Sequence, residues 1–377
     1  MRRGVALSLA VGVILLLTMA VWMLPAHGQD EPLRIGLVTH EGGEIDDRGF
    51  NQSVWEGVLA AAERLDGVAD YIETQDSTDY GNNIAEFVEH DYPIIVTVGV
   101  AMGEATRQAA LLHPDVHFIG VDQREFPDNP FPPNMTGLVF HEDQAGYLAG
   151  ALAGHLTRSD VIAGIYGTDL APAIVAFATG FESGVQSVNP TARVITTYHP
   201  GGFGVAFNDP EWGAATAAQA IDQGADVVFA AGGATGMGAL IEVANRTTAE
   251  SPLYCIGVDT DQWETVPEAR DCLVSSAVKH IADGVEAIVL QVVAGEPPQG
   301  NFYGPVGLAD FHDFEDVVPE EVQKELAQLA EALAEGEVDT GYHPGGPTEA
   351  EDEGGADEES DLPTEAPRQG KTPTPEG

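Results

Sequence analysis

Basic residues are scarce in this 377-residue chain: 15 Lys and Arg stand against 61 Asp and Glu, which gives a formal net charge of -46. A surface of this charge repels the phosphates of nucleic acids and of anionic lipid headgroups, so we expect no nucleic-acid partner. The chain contains three lysines, at Lys279, Lys324 and Lys371. A lysine that lies away from a solvated tail therefore needs a specific explanation.

Cysteine is also rare, with Cys255 and Cys272 as the two examples. Neither has the Cys-x-x-Cys spacing or the clustered histidines of a zinc site, so we expect no metal centre and no Cys nucleophile. Each cysteine opens an apolar, strand-like run, and in an exported protein two such runs on adjacent strands would let the pair form a disulfide. Two buried free thiols are the alternative.

Motifs of common enzymes are missing. The sequence has no Gly-x-Ser-x-Gly elbow and no His-Glu-x-x-His helix, and no spacing assembles a nucleophile, a base and an oxyanion site. The glycine-rich run 232–238 follows a predicted strand and opens a predicted helix, where backbone amides can approach a polar ligand, but it lacks the Lys-Ser/Thr of a P-loop. We therefore expect a binding protein without a cofactor, and not an enzyme.

The two ends of the chain differ in composition from its body. Residues 1–28 begin with Met-Arg-Arg, continue with an apolar run and end in Pro-Ala-His-Gly, which is typical of a signal peptide, so the protein is expected to be extracellular or periplasmic. The apolar run, about 20 residues long, also fits an uncleaved anchor in the plasma membrane, and no lipid-bearing Cys follows it. The composition of residues 344–377 predicts a disordered acidic tail.

The body alternates short β-branched apolar runs with longer stretches of helical apolar spacing. This pattern predicts an α/β fold with parallel sheets, right-handed crossovers and helices on both faces. Roughly 310 residues are too many for one open sheet of usual size, so we expect two doubly wound lobes. The predicted strands are 34–39, 71–74, 94–98, 117–121, 161–166, 194–198, 227–230, 254–258 and 273–278.

The expected lobes each combine two stretches of chain. The first lobe is expected to comprise residues 33–138 and 261–300. The second lobe is expected to comprise residues 139–260 and 301–343.

Two predicted strands end in the same tripeptide, Gly-Val-Asp, at 120–122 and 257–259. Ligands of open parallel sheets bind beyond the carboxyl ends of the strands, so Asp122 and Asp259 are candidate ligand-binding residues. Asp is also a common turn former and helix N-cap, which is the alternative for each residue alone. The repetition, one per expected lobe, favours a position at the crevice.

The densest polar segment is 39–52, which runs from the end of the first strand into the first helix. Its glycines allow a turn, and Asp46 or Asp47 can cap the helix. Phe50, beside the side-chain amide of Asn51, is suited to stacking on a flat heterocycle whose edge is hydrogen-bonded. A core Phe beside a solvated Asn is the alternative.

This segment resembles a known family. Asp-Asp-Arg-Gly-Phe-Asn-Gln-Ser at 46–53, with Trp-Glu-Gly at 55–57, resembles the opening motif of the basic membrane protein family. Members of that family are the substrate-binding components of ABC importers that take up purine nucleosides. The resemblance covers about residues 33–342. Further stretches resemble the family in the same order: 140–150, 172–177 with 180–182, 224–227 with 232–238, 255–262, 275–279 and 306–308.

The resemblance implies a type I periplasmic binding protein fold, in which two lobes close on a nucleoside by hinge motion. It implies that Phe50 and Phe177 sandwich the base between their rings. Asn51 and Asp47 would then lie near the edge of that base.

The resemblance also implies how the sugar is held. Asp122 and Asp259 would accept hydrogen bonds from the ribose hydroxyls. Lys279 and the backbone of Gly232 and Gly233 would lie nearby. Lys279 directly follows a predicted strand, and the two aspartates end theirs, so the residues themselves favour the same placement.

The resemblance further implies a role in transport. The protein would act outside the cytoplasm as a monomer and would deliver its nucleoside to an ABC permease in the membrane. A ligand-sensing ectodomain of the same fold is the alternative role.

One departure from the family concerns the residue after the first strand. The family usually has an Asp there, whereas this chain has His40. A carboxylate only accepts hydrogen bonds, but a neutral imidazole donates from one nitrogen and accepts at the other. The base preference is therefore expected to differ, and the alternative ligand is another small polar solute, such as a free purine, a sugar or a furanose signal.

Overall fold

The computed structural model describes residues 32–344. The expected signal peptide or anchor and nearly all of the expected acidic tail lie outside this range. None of the helices between residues 32 and 344 combines the length and apolarity that a bilayer crossing requires. Within the range, strands and helices alternate along the chain, so the predicted α/β class is confirmed.

Twelve strands and eleven α-helices, numbered here in chain order, make up the described fold. The strands are β1 Arg34–Val38, β2 Val68–Ile72, β3 Ile94–Val98, β4 His117–Val121, β5 Met135–Val139, β6 Val161–Tyr166, β7 Arg193–Tyr198, β8 Val227–Ala231, β9 Tyr254–Asp259, β10 Leu273–Lys279, β11 Gly300–Tyr303 and β12 Val306–Leu308. The helices are α1 Phe50–Arg64, α2 Tyr80–Glu89, α3 Gly103–Leu112, α4 Glu142–Leu156, α5 Pro172–Val188, α6 Phe203–Ala206, α7 Pro210–Asp222, α8 Gly233–Arg246, α9 Gln262–Thr265, α10 Ile281–Val293 and α11 Glu320–Ala334.

The strands form two six-stranded sheets, in the orders β11-β5-β4-β3-β1-β2 and β12-β10-β9-β8-β6-β7. Every pair is parallel except β10 with β12. We call the first sheet with its helices lobe 1 and the second lobe 2. The carboxyl ends of parallel strands lie on one edge of each sheet, which is where such sheets bind ligands.

Both faces of each sheet are covered by apolar side chains. In β1, Ile35 and Leu37 pack with α1 and α10, whereas Val38 packs on the opposite face with Phe87 of α2. In lobe 2, neighbouring residues of β8 likewise belong to two separate apolar clusters. Because successive strand residues point to opposite faces, the fully apolar strands of the sequence require helices on both sides.

Helices α4 and α5 pack so closely that their backbones touch. A Cβ atom at Gly150 would overlap the carbonyl oxygen of Phe181, and one at Gly184 would overlap that of Tyr147. Residues four apart lie on one face of a helix, so the glycines make that face flat. Five glycines lie at this interface: Gly146, Gly150, Gly154, Gly180 and Gly184.

The chain crosses between the lobes three times: from β5 to α4, from β10 to α10 and from β11 to β12. These crossings lie side by side. The N–H of Gly304 donates to the carbonyl of Val139 at 2.9 Å, and that of His280 donates to the carbonyl of Pro305 at 3.0 Å. The three crossings therefore form one hinge region.

The expected lobe boundaries differ from the sheets at two strands. Strand β10 falls in the segment 261–300 that was expected in lobe 1, but it pairs with β9 in lobe 2. Strand β11 pairs with β5 in lobe 1, although it falls mostly beyond residue 300. The cause is local: α9 and a following turn return the chain to the sheet it has just left, so the crossing comes only after β10.

A disulfide joins Cys255 and Cys272, whose Cα atoms are 5.1 Å apart. Both residues are fully buried, with Cys255 near the start of β9 and Cys272 directly before β10. This is the pairing that the sequence suggested, with two buried free thiols as the alternative. The bridge fixes the starts of two neighbouring strands of lobe 2.

Removing this disulfide is expected to lower the free energy of unfolding. The bridge closes a loop with a sequence separation of 17 residues, and a loop of this size corresponds to about 3 kcal/mol in the chain-entropy model. Denaturant unfolding of the C255A/C272A double variant measures the loss. As a control, reductant should destabilise the wild type and leave the variant unchanged. Equal stability of the variant and the oxidised wild type would contradict the expectation.

Candidate functional site

The two lobes meet at the carboxyl ends of their sheets. Arg48 Nη1 contacts Glu268 Oε1 and Oε2 at 3.0 and 3.1 Å. Asn208 Nδ2 donates to the carbonyl of Gly42 at 3.0 Å. Both contacts join a loop of lobe 1 to a loop of lobe 2, so the structure shows a closed interlobe cleft.

Asp122 and Asp259 end equivalent strands of opposite lobes, and both adopt the same unusual conformation. Their φ angles are 58° and 66°. A non-glycine residue with positive φ is uncommon, and such residues concentrate at functional sites. The left-handed turn ends each strand at its aspartate.

The glycine of each Gly-Val-Asp tripeptide has a packing role. A Cβ atom at Gly120 would overlap the Gln123 side chain, and one at Gly257 would overlap the Gln262 side chain. Gln262 Oε1 also accepts from the N–H of Val258 at 3.0 Å. The missing side chain thus lets a glutamine fold back against the strand and support the turn that carries the aspartate.

Lys279 lies at the centre of the site. Its Nζ donates to Asp122 Oδ1 at 2.9 Å and Oδ2 at 2.8 Å, and it lies 3.4 Å from Glu142 Oε1 and 3.9 Å from Asp259 Oδ1. The side chain is only 1% exposed. One buried ammonium therefore joins three carboxylates, with Asp122 from lobe 1 and Asp259 from lobe 2.

Two aromatic rings complete the surroundings of this ammonium. Nζ of Lys279 lies 4.9 Å from the ring centroid of Phe50 and 4.8 Å from that of Phe140. Both distances are within cation–π range, which stabilises a desolvated cation. Phe50, the first residue of α1, is only partly buried, whereas Phe140 is fully buried in the hinge region.

The charges of this cluster shift one another. Burial lowers the pKa of the Lys279 ammonium, but the three carboxylates outweigh burial and raise it. Burial raises the pKa of Asp259 to about 6 even though Lys279 opposes the shift. Burial likewise raises the pKa of Glu142 to about 7, against the attraction of Lys279. The cluster therefore carries excess negative charge that a hydroxyl donor can relieve.

His40 follows β1 at the same edge of lobe 1. Burial lowers the pKa of its imidazole below the ordinary value, so the ring is neutral at pH 7. Its Nδ1 lies 3.0 Å from the carbonyl oxygen of Glu41. A carbonyl only accepts, so Nδ1 carries the proton and Nε2 is left as an acceptor.

Asp47 acts mainly as the cap of α1. Its Oδ1 accepts from the N–H groups of Gly49 and Gln52, both at 3.0 Å. Its Oδ2 accepts from the N–H of Asn51 at 3.0 Å and from Asn51 Nδ2 at 2.8 Å. The carboxylate is thus already engaged by four donors, and it fixes the orientation of the Asn51 side chain.

Asn51 leaves one acceptor unused. The residue is 3% exposed, and its Oδ1 has no hydrogen-bond partner among residues 32–344. A buried polar atom without a partner costs free energy comparable to that of a lost hydrogen bond. This oxygen is therefore ready to accept from an N–H group of a ligand.

Phe177 lies away from these residues, in the core of lobe 2. It is 1% exposed, and its ring packs edge-on against Phe229 of β8 at 6.1 Å. Its backbone abuts Gly146 in the α4–α5 interface. The position does not fit the expectation that Phe177 stacks on a base, because both its ring and its backbone are used in packing.

Gly232 and Gly233 stand where β8 ends and α8 begins. Gly233 has a φ of 56°, which glycine adopts without strain. A Cβ atom there would lie 2.9 Å from the carbonyl oxygen of Phe207, and a Cβ atom at Gly167 would overlap the ring of Phe207. The partly buried Phe207 thus lies at the carboxyl edge of lobe 2 and is the better candidate for an aromatic wall.

The structure brings four of the predicted ligand-site residues into contact. Asp122, Asp259, Lys279 and Phe50 form one contiguous cluster. Sequence reasoning missed Glu142, Phe140 and Phe207. The first two lie in the segment 140–150 that resembles the family motif, but in a chain with 61 acidic residues one more glutamate gave no separate signal.

The fold and the cleft define a two-lobed solute-binding protein. A crystal structure of a solute-binding protein of an ABC transporter system from Aeropyrum pernix is similar, with a TM-score of 0.70 at 22% identity over 82% of this chain and 93% of that one. At this identity the likeness shows the fold, which is the periplasmic binding protein fold expected from the sequence.

The chain belongs to the family of PnrA-like ABC transporter substrate-binding proteins, whose sequence profile matches residues 34–326. It is 28% identical over 323 residues to a CD4+ T-cell-stimulating antigen of Listeria monocytogenes, covering 81% of this chain and 87% of the relative. It is 29% identical over 237 residues to the ABC transporter nucleoside-binding protein BmpA of Lactococcus lactis, covering 61% and 64%. Members of this family bind solutes outside the cytoplasm for delivery to a permease, and they are not enzymes.

Proposed function

We propose that this protein binds a nucleoside in the interlobe cleft by hinge closure and delivers it to its permease. The observation that carries the proposal is the meeting of Asp122 and Asp259, one from each lobe, at the buried ammonium of Lys279. A ligand that engages both aspartates holds the lobes together. The name of the Lactococcus relative supports a nucleoside as that ligand.

The carboxylate cluster suits the sugar of a nucleoside. Two adjacent hydroxyls can donate to the two aspartates, whose carboxylate oxygens accept. Hydrogen bonds to charged groups are stronger than neutral ones, and buried charges left without partners are costly. We therefore expect analogues without a 2′-hydroxyl to bind about 100-fold more weakly.

The residues around α1 suit the base. Phe50 offers a ring at the mouth of the cleft, and Phe207 offers another from lobe 2. The free Oδ1 of Asn51 and the unprotonated Nε2 of His40 are both acceptors. This edge of the cleft therefore favours a base that presents N–H donors, as purines with an imide or an exocyclic amino group do.

The charge of the site favours a ligand without phosphate. Lys279 is already engaged by three carboxylates, so a nucleotide would bring further negative charge to a cluster that is already acidic. Like charges at such distances repel strongly in a buried site. A neutral nucleoside avoids this cost.

Calorimetric titration tests the proposal. The panel contains inosine, guanosine, adenosine, their 2′-deoxy analogues, inosine monophosphate, free purines, and pentoses. Mass spectrometry of the ligand that copurifies with the protein gives independent identification. Tight binding of a ribonucleoside supports the proposal; binding of a free purine or a sugar alone overturns it.

Neutralising either aspartate is expected to weaken nucleoside binding by at least about tenfold, the usual cost of losing a hydrogen bond to a charged group. The variants are Asp122→Asn and Asp259→Asn, measured by calorimetry at pH 7.5. Asp128→Asn, at an exposed position of lobe 1, is the matched control and should bind as the wild type does. Unchanged affinity in both cleft variants would refute the assignment of the sugar site.

A further inference from the structure

Glu142 has no place in the ligand contacts described above, yet it is one of the most buried acidic residues of the described chain, at 4% exposed. It is the first residue of α4 and follows directly on the crossing from β5. Its Oε1 lies 3.4 Å from Nζ of Lys279, the last residue before the crossing from β10. The pair thus connects two of the three crossings of the hinge region.

We propose that Glu142 is a positioning residue that holds Lys279 on the lobe 2 side of the hinge, and that its negative charge opposes closure of the cleft. This inference rests on the hinge closure of the proposed function, but not on the identity of the ligand.

Glu142 and Asp122 approach Lys279 from different lobes. Glu142 and Lys279 both belong to lobe 2, so their contact does not need the lobes to be closed. Asp122 belongs to lobe 1 and reaches Lys279 only across the cleft. In an open protein, Glu142 therefore remains beside the ammonium as its counterion while Asp122 moves away.

Closure carries an electrostatic cost because of Glu142. It brings Asp122, a third carboxylate after Glu142 and Asp259, to the same ammonium and removes water from Asp122 and Glu142. Burial and the charge of Asp122 both raise the pKa of Glu142 in the closed cleft, which reaches about 7. A raised pKa means that the ionised form is disfavoured there.

Closure of the cleft is expected to become more favourable as the pH falls. The charged groups that face Glu142 are Lys279, Asp122 and Arg124, and Asp259 shares Lys279 with it. Opening removes Asp122 and admits water, so the pKa of Glu142 is lower in the open protein. As the pH falls from 8 to 6.5, the closed protein therefore binds more protons than the open protein does, and closure becomes more favourable. Asp259, whose pKa is about 6, contributes mainly below this range.

Single-molecule energy transfer between the lobes tests the inference without a ligand. Dyes are attached to cysteines introduced by E89C in lobe 1 and E250C in lobe 2, both exposed positions. The native cysteines are bridged and buried, so they do not react. The ratio of closed to open molecules is measured from pH 8 to 6.5.

The variant Glu142→Gln keeps the shape of the side chain and removes its charge. We expect it to raise the ratio of closed to open molecules at pH 8 by about fivefold, the lower end of usual coupling effects. We also expect the rise of this ratio with falling pH, present in the wild type, to be lost. The matched control Glu320→Gln removes an exposed carboxylate that pairs with Lys324 on α11, and it should change neither quantity.

Each result of the energy-transfer measurement either supports or overturns the inference. An unchanged or lowered ratio in Glu142→Gln overturns the inference. If that variant does not fold, the wild type alone decides: a closed fraction that is flat from pH 8 to 6.5 overturns the inference, and one that rises supports it. Failure of all nucleosides to bind would refute the proposed ligand but would leave these ligand-free measurements unaffected.

Discussion

Lys279→Met is expected to abolish ligand binding and to lower the free energy of unfolding by about 3–5 kcal/mol, the usual cost of removing one partner of a buried ion pair. The ammonium contacts three carboxylates at 2.8 to 3.9 Å and is almost inaccessible to solvent. Met keeps the length of the side chain but leaves those carboxylates buried without their cation. Calorimetry with the nucleoside that the wild type binds and denaturant unfolding at pH 7.5 measure the two losses.

Acid should partly rescue this variant. Without the ammonium, the pKa values of Asp259 and Glu142 rise further above their unfolded values, because the cation that opposed the shift is gone. A carboxylate with a raised folded pKa destabilises the protein above that pKa, and the penalty disappears as the group becomes protonated. The deficit relative to the wild type should therefore shrink from pH 8 to pH 5.

Lys324→Met is the control. Lys324 pairs with Glu320 on the exposed face of α11, and exposed pairs of this kind contribute little. Its loss should change stability by no more than about 0.5 kcal/mol and leave binding intact. Equal stability of the two variants would contradict the central role of the buried cluster.

Gly150→Val is expected to lower the free energy of unfolding by about 3 kcal/mol or more, at the upper end of the cost of overpacking. Even a Cβ atom at Gly150 would overlap the carbonyl oxygen of Phe181. The overlap is with backbone, so no rotamer change relieves it, and α4 and α5 must separate. Denaturant unfolding measures the loss.

A second helical glycine provides the comparison. Gly81 lies in the first turn of α2, and a Cβ atom there would meet nothing within 4 Å. Because Val is a somewhat better helix former than Gly, Gly81→Val should be neutral or slightly stabilising, within about 0.5 kcal/mol. A large loss at both positions would mean that the added side chain itself, and not the contact between α4 and α5, decides the outcome.

The sheets and the cleft could be predicted from the sequence because the patterns that indicate them are local. Most buried strands appear as β-branched runs, although β5 is not among the predicted strands. The carboxyl ends of two of them, β4 and β9, appear as the Gly-Val-Asp tripeptide at 120–122 and 257–259. Ligand sites of parallel sheets lie at such ends for topological reasons. The aspartates and Lys279 could therefore be grouped without knowledge of any side-chain position.

The packing role of Phe177 could not be predicted from such local patterns. Helical spacing shows that α5 is amphipathic, but it does not say which neighbour its apolar face meets. Only the glycine spacing, with Gly180 and Gly184 on one helix and Gly146 and Gly150 on another, indicates that two helices touch along their backbones. That pattern, considered together with Phe177, would have predicted a packing residue.

Sequence reasoning misplaced the lobe boundary and overlooked Glu142 for other reasons. A short helix and a turn between β9 and β10 resemble a connection between lobes, and sequence does not show to which sheet the next strand returns. The sequence also does not show that Glu142 is buried, because its partner Lys279 is 137 positions away in a chain with abundant acidic residues. Contacts of this range depend on the folded arrangement of the crossings.

The disulfide has a consequence at the opposite end of the strands it joins. Strands β9 and β10 begin at the bridge and end at Asp259 and Lys279. Six residues of strand extend about 20 Å. The register shifts once, between Leu273 and Ser275, and backbone pairing then keeps the two strands aligned from Ser275 to Val278. Oxidation outside the cytoplasm, where disulfides persist, thus helps to set the spacing of a carboxylate and an ammonium that the sulfur atoms never touch.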